Sequence, residues 1–227
     1  MSQKRYYFLD KWNLLFSVMS TPSPLHKALN ERLRTLISFF FALILSAALL
    51  LGETAWHTAP LTEGILMLFG CFFAGIGAFG RIWCSLYIAG YKNTKLIKSG
   101  PYARCRNPLY FFSFIGSIGV GLATETYTIP LLIILAFASY YPAIIKKEQG
   151  RLREIFGKDY DDYCQEVPSF WPRLFTSAKA PETYVVDPKT FTHNLVDAIW
   201  FIWAIGLLEM VEALHDSGIL PIFCPLY

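Results

Sequence analysis

Five runs of apolar residues decide which solvent this chain can fold in. They cover residues 36–51, 65–79, 109–123, 129–145 and, more weakly, 196–208. A bilayer core asks for about 20 such residues per helix, so each run borrows flanking residues to reach across. Buried helices of a large soluble protein would read the same way, but 227 residues cannot wrap five of them in polar structure. A chain that is 54% hydrophobic and only 16% charged also lies outside the ordinary soluble range. The expectation is an all-α fold: a polytopic helical membrane protein with about five transmembrane helices.

Lysine and arginine set the orientation. Six precede the first run, six fall between the second and third, and eight between the fourth and fifth. Residues 52–64, residues 124–128 and everything after Lys189 carry none. The positive-inside rule then puts the N-terminus and the segments 81–107 and 146–194 in the cytoplasm, and the C-terminus outside. Asp10, Lys11 and Asn13 interrupt the apolar stretch that a cleavable signal would need, so none is expected. Phe8, Trp12, Leu15, Phe16 and Met19 instead recur at helical spacing, as in a helix lying in the membrane interface. Ser23 and Pro24 then open a basic helix. Residues 1–35 thus form the interfacial and basic helices, 36–194 a core of four spans with cytoplasmic loops, and 195–227 the last helix and tail.

Some patterns carry less than they suggest. Gly75-Ile-Gly-Ala-Phe-Gly80 matches GxGxxG, but no strand precedes it and it lies within an apolar span. Close helix packing explains it better, as it does Gly116, Gly119 and Gly121. Cys71, Cys84, Cys105, Cys164 and Cys224 make no CxxC pair, so neither a disulfide framework nor a zinc site is expected. Glu209, Glu212 and His215 share a helical face where the last span meets water, and a metal site is not expected there.

GPYARCRNPLY, residues 100–110, is more specific. Pro108 suits the first turn of a helix and pushes Asn107 out of helical geometry, so a polar loop meets a span there. A second cytoplasmic segment runs from Lys146 through Glu148, Gly157, Tyr160 and Tyr163 to Val167-Pro-Ser-Phe-Trp-Pro172. Here a helix capped by Gly157, a tyrosine-bearing turn and an extended stretch are expected in that order.

Together the two segments resemble the isoprenylcysteine carboxyl methyltransferase family, whose wider group includes phospholipid methyltransferases. The family pattern GPYxxxRHPxY, a membrane hairpin, then EExxLxxxFGxxYxxYxxxVPxxxP runs in the same order and spacing across residues 92–172. Asn107 stands where the family has histidine, Gln149 where it has a second glutamate, and Ile144 where prenylcysteine enzymes have an arginine. The resemblance implies a membrane methyltransferase with a cytoplasmic S-adenosylmethionine pocket. Carried over by position, cofactor contacts fall at Thr94, Lys95, Leu96, Ile97, Tyr102, Asn107, Pro108, Leu109, Tyr110 and Glu148. The implied acceptor is a lipid or lipidated molecule in the bilayer, with nothing pointing to nucleic acid. The cationic rim formed by Arg104, Arg106, Lys146, Lys147 and Arg151 favours an anionic oxygen as nucleophile, with Arg106 and Arg104 as the acceptor-facing catalytic residues. Methylation of a phospholipid amine or a prenylcysteine carboxyl, a nicotinamide-dependent membrane reductase and a non-catalytic scaffold are the alternatives.

Overall fold

The computed structural model describes residues 52–54, 60–91, 94–173, 183, 185–220 and 224–226. Chain contacts separate Met1–Ala48 from Leu49–Tyr227. Everything below concerns the second unit. The expected interfacial helix, the basic helix and the run 36–51 lie outside the described residues.

In chain order the elements are β1 (Gly52–Thr54), α1 (Pro60–Ile88), a 3-10 turn (Gly100–Ala103), α2 (Pro108–Leu122), α3 (Thr128–Phe156), α4 (Lys158–Glu166), α5 (Pro188–Asp216) and β2 (Cys224–Leu226). Apart from one parallel pairing of the two three-residue strands, the fold is all-α, as expected. Three helices of 29 residues are apolar and long enough to cross a membrane, and the shorter apolar α2 lies beside them. At 1.5 Å per residue the long helices extend about 43 Å, so they overshoot a hydrocarbon core of about 30 Å and carry their ends into polar surroundings.

Local chemistry sets the helix ends. Pro108 opens α2 after Asn107, which sits at φ −124° and ψ 54°, as the motif predicts. α3 stops at Gly157, whose φ of 53° a side chain would resist, and its N–H bonds Arg153 O. The tyrosine-bearing turn expected next is a short helix, α4. Asp187 caps α5, accepting from Lys189 N at 3.1 Å.

α1 and α2 meet through small residues. A Cβ on Gly77 would come within 2.4 Å of Gly116 Cα, and one on Gly119 within 2.2 Å of Ala74 N. Gly80 lies under the Phe112 ring, while Gly75 faces open space. The GxGxxG match is thus a helix contact made by two of its three glycines. Phe201 of α5 packs on Gly116. Leu68, Phe72, Phe79, Leu131, Leu135, Trp200 and Trp203 remain exposed, an arrangement suited to lipid.

α1 also runs further than its apolar core suggests. Arg81, expected in a loop, is helical and sits among apolar neighbours.

Candidate active site

The two motif segments close on each other at the end of the bundle where α2 begins. Arg106 N donates to Pro168 O at 2.9 Å and Arg173 N to Arg104 O at 3.0 Å, so residues 104–106 and 168–173 run side by side. Tyr163 reaches across from α4 and donates its hydroxyl to Tyr102 O at 2.6 Å. The Tyr102 ring is buried with Cys84 and Tyr87, and Ile97 and Leu109 pack around that cluster. Pro108 is fully buried. Thr94 and Lys95 lie exposed at the start of the loop, with Thr94 Oγ1 donating to Tyr91 O and the Lys95 ammonium over the Tyr91 ring.

Two of the three positions at which the chain departs from the family pattern touch one serine. Asn107 Nδ2 donates to Ser169 O at 2.8 Å, and Gln149 Nε2 to Ser169 Oγ at 2.9 Å. The contacts join residues 62 and 20 positions apart. Beside this amide clasp opens a groove of about 560 Å³ between α2, α3 and residues 169–171. Phe114, Phe137, Tyr141, Phe170 and Trp171 form much of its wall, and Lys146, Gln149 and Ser169 are its polar residues. Tyr110 meets Tyr141 edge-on, with ring centroids 5.5 Å apart. Phe137 stacks on Tyr141 at 3.8 Å.

The two arginines expected to face the acceptor are turned elsewhere. The Arg106 guanidinium donates to Cys164 Sγ on α4, with Nε buried and lacking a partner. Arg104 lies over the Trp83 ring at 5.7 Å. Neither lines the groove. Glu148 accepts from Arg151 at 2.5 Å one turn along α3.

Burial raises the Tyr102 and Tyr163 phenols well above their ordinary range and pushes Tyr160 up to about 12. Burial likewise pushes the Cys105 thiol up to about 12, so it stays protonated. Asn107, Gln149 and Ser169 do not titrate at neutral pH. Among the described residues no group of three His, Cys, Asp or Glu side chains is placed to hold a metal ion.

The family model described as phospholipid methyltransferase matches residues 64–159, which takes in the first motif, the α2–α3 hairpin and the start of α4. Along nearly its whole length the chain is 36% identical over 205 residues to the nickel-cobalt-cadmium resistance protein NccN of Alcaligenes xylosoxydans xylosoxydans, covering 90% of this chain and 94% of that one. The chain belongs to the phospholipid methyltransferase family. It is also 33% identical over 209 residues to the cobalt-zinc-cadmium resistance protein CzcN of Cupriavidus metallidurans, covering 88% and 93% of the two chains. A shorter match, 31% identical over 83 residues, joins 37% of this chain to 35% of the protein-S-isoprenylcysteine O-methyltransferase of Schizosaccharomyces pombe. That match agrees with the resemblance read from the motifs. No solved structure matches the chain.

Sequence reasoning missed Ser169, Tyr141 and Arg81. Ser169 and Tyr141 carry no local signal, because each acquires its place from a distant partner. Arg81 had one: the residues after it, IWCSLYI, remain apolar and contain no helix breaker.

Proposed function

We propose that this protein is an S-adenosylmethionine-dependent methyltransferase that acts on a membrane-embedded, lipid-type acceptor and methylates an anionic oxygen. The observation that carries the reading is the polar end of the groove, where Asn107 and Gln149 meet on Ser169 beside Lys146, between the two family motif segments. The cofactor would lie on the cytoplasmic side, against residues 94–97, Tyr102, residues 107–110 and Glu148. The side chains there suit it. The buried, unpartnered Nε of Arg106 is a donor for a carboxylate, and the Glu148 carboxylate is an acceptor for an amine or ribose hydroxyl. When bound, the sulfonium supplies an electrophilic methyl group for in-line displacement. The chain's own part is positioning: the Asn107–Ser169–Gln149 clasp fixes the seam between loop and span, and the groove aligns the acceptor.

An acceptor that arrives already ionised needs no base at the clasp. A phosphate or carboxylate oxygen meets that condition at neutral pH, whereas an amine must first lose a proton. Lys146 at the groove supplies complementary charge. In this reading Arg106 braces the loop against α4 and reaches the acceptor only by turning from Cys164. The active site is cytoplasmic and the C-terminus outside. Pairing of β1 with β2 supports that arrangement, since it brings residues 224–226 to the segment before α1 that lacks cations.

A second reading rests on the printed names of the two relatives that match nearly the whole chain, both metal-resistance proteins. In it the same chemistry, applied to an envelope component, contributes to tolerance of divalent metals. Isothermal titration of the detergent-purified protein separates methyltransferase from reductase and scaffold. S-adenosylmethionine is expected to bind and reduced nicotinamide nucleotides are not; the reverse result would refute the first reading.

A further inference from the structure

Arg81 lies seven residues before the end of α1, about 10 Å along the helix axis. Its guanidinium donates one N–H to Ser113 Oγ at 2.5 Å and covers the Phe201 ring at 5.9 Å from the centroid. Its Nε is buried without a hydrogen-bond partner. Among the described residues the arginine ion pairs are Arg151 with Glu148 and Arg153 with Asp161, and none of them holds Arg81. Asp197, one turn from Phe201 on α5, is exposed and forms no ion pair with it. A cation among apolar helices is expected to face a counter-charge or a polar cavity. A hydroxyl and a ring face provide neither.

Ser113 connects this charge to the groove. It holds the guanidinium and directly precedes Phe114 on α2, and Phe114 lines the groove wall together with Tyr141. We propose that Arg81, steadied by Ser113, is an anion anchor at the level of the lipid headgroups, binding an oxyanion of an amphiphile whose chain occupies the α2–α3 groove. The inference rests on the reading that the acceptor lies in that groove, and it narrows the acceptor to amphiphiles bearing a phosphate or carboxylate. A groove of about 560 Å³ is in the size range of a single small ligand. The guanidinium fork suits an oxyanion better than a point charge does.

The test measures binding of dodecyl phosphate, the uncharged dodecanol and inorganic phosphate to the purified full chain, beside S-adenosylmethionine on the same preparation. Wild type is expected to prefer dodecyl phosphate over both other probes. Arg81→Gln should weaken dodecyl phosphate roughly ten- to hundredfold while leaving dodecanol and S-adenosylmethionine unchanged, and Arg81→Lys should recover only part. A folded Arg81→Gln that binds dodecyl phosphate as wild type does, or wild type with no preference for it over dodecanol, overturns the anchor. Inorganic phosphate bound as tightly as dodecyl phosphate makes this a soluble-anion site and overturns the lipid assignment. Parallel loss of S-adenosylmethionine in Arg81→Gln would make Arg81 a cofactor or folding residue. If Arg81→Gln does not fold, the wild-type preference and a severalfold loss in Ser113→Ala decide the matter. Wild type that binds dodecyl phosphate but not S-adenosylmethionine sinks the methyltransferase reading and leaves the anchor standing.

Discussion

Glu148 stands between two roles that differ in size. Its carboxylate takes a hydrogen bond from Arg151 at 2.5 Å, with the two side chains 33% and 41% exposed. A pair that open to solvent contributes only about 0.2–0.5 kcal/mol. A carboxylate that receives an ammonium or hydroxyl of bound S-adenosylmethionine holds a charge-assisted bond of about 1.5–3 kcal/mol, roughly a ten- to 150-fold effect on affinity. The cofactor contact is therefore the larger by a factor of several, and two variants tell the roles apart. In titration calorimetry Glu148→Ala is expected to weaken S-adenosylmethionine binding by that ten- to 150-fold. Arg151→Ala, which removes the pair and spares the carboxylate, should change it by less than about threefold. Unfolding midpoints of both variants should stay close to wild type. Small and equal losses in two folded variants would refute the cofactor role and leave Glu148 as half of a surface ion pair.

Three further expectations follow from packing, burial and charge. Gly77→Ala pushes a methyl group onto Gly116 backbone and should destabilise the α1–α2 contact by about 1–3 kcal/mol, whereas Gly75→Ala meets nothing and should be neutral in detergent melts; equal midpoints would show that the helices are not so closely apposed. Burial raises the Cys105 thiol from 9.0 to about 12, so between those pH values the folded state keeps a proton that the unfolded chain has lost. Stability should thus fall as pH rises through that window and stay flat with respect to this group below it, and Cys105→Ala should lessen the slope; identical alkaline melting curves would contradict the assignment. A cysteine at the exposed Tyr127 should react with an impermeant thiol reagent on intact cells, and one at the exposed Lys158 should not; labelling at Lys158 would reverse the topology.

The three long apolar helices are legible because apolar length is a local property, and the caps at Pro108 and Gly157 because each depends on a single residue's backbone freedom. The spacing of the motif residues carried the family. What spacing could not carry was convergence. Asn107 and Gln149 look in sequence like two weakened motif positions, yet in space they grip the same serine, and only the fold of the 167–173 stretch over the α2 start brings that about. Side-chain direction is equally hidden: Arg104 and Arg106 flank the motif in sequence, and their side chains reach Trp83 and Cys164. Arg81 falls outside the apolar run because a hydropathy run ends at a charge, although a helix does not have to.

The central claim is transfer of a methyl group to a lipid-type anion. It is tested most directly by incubating the purified protein with membrane extract and tritiated S-adenosylmethionine, then separating the labelled products before and after mild base. The account predicts label in an organic-soluble product as an O-methyl ester, which mild base releases as methanol from a carboxylate and leaves in place on a methyl phosphodiester. Label held stably in an amine headgroup, or no label above a Glu148→Ala control, would contradict it.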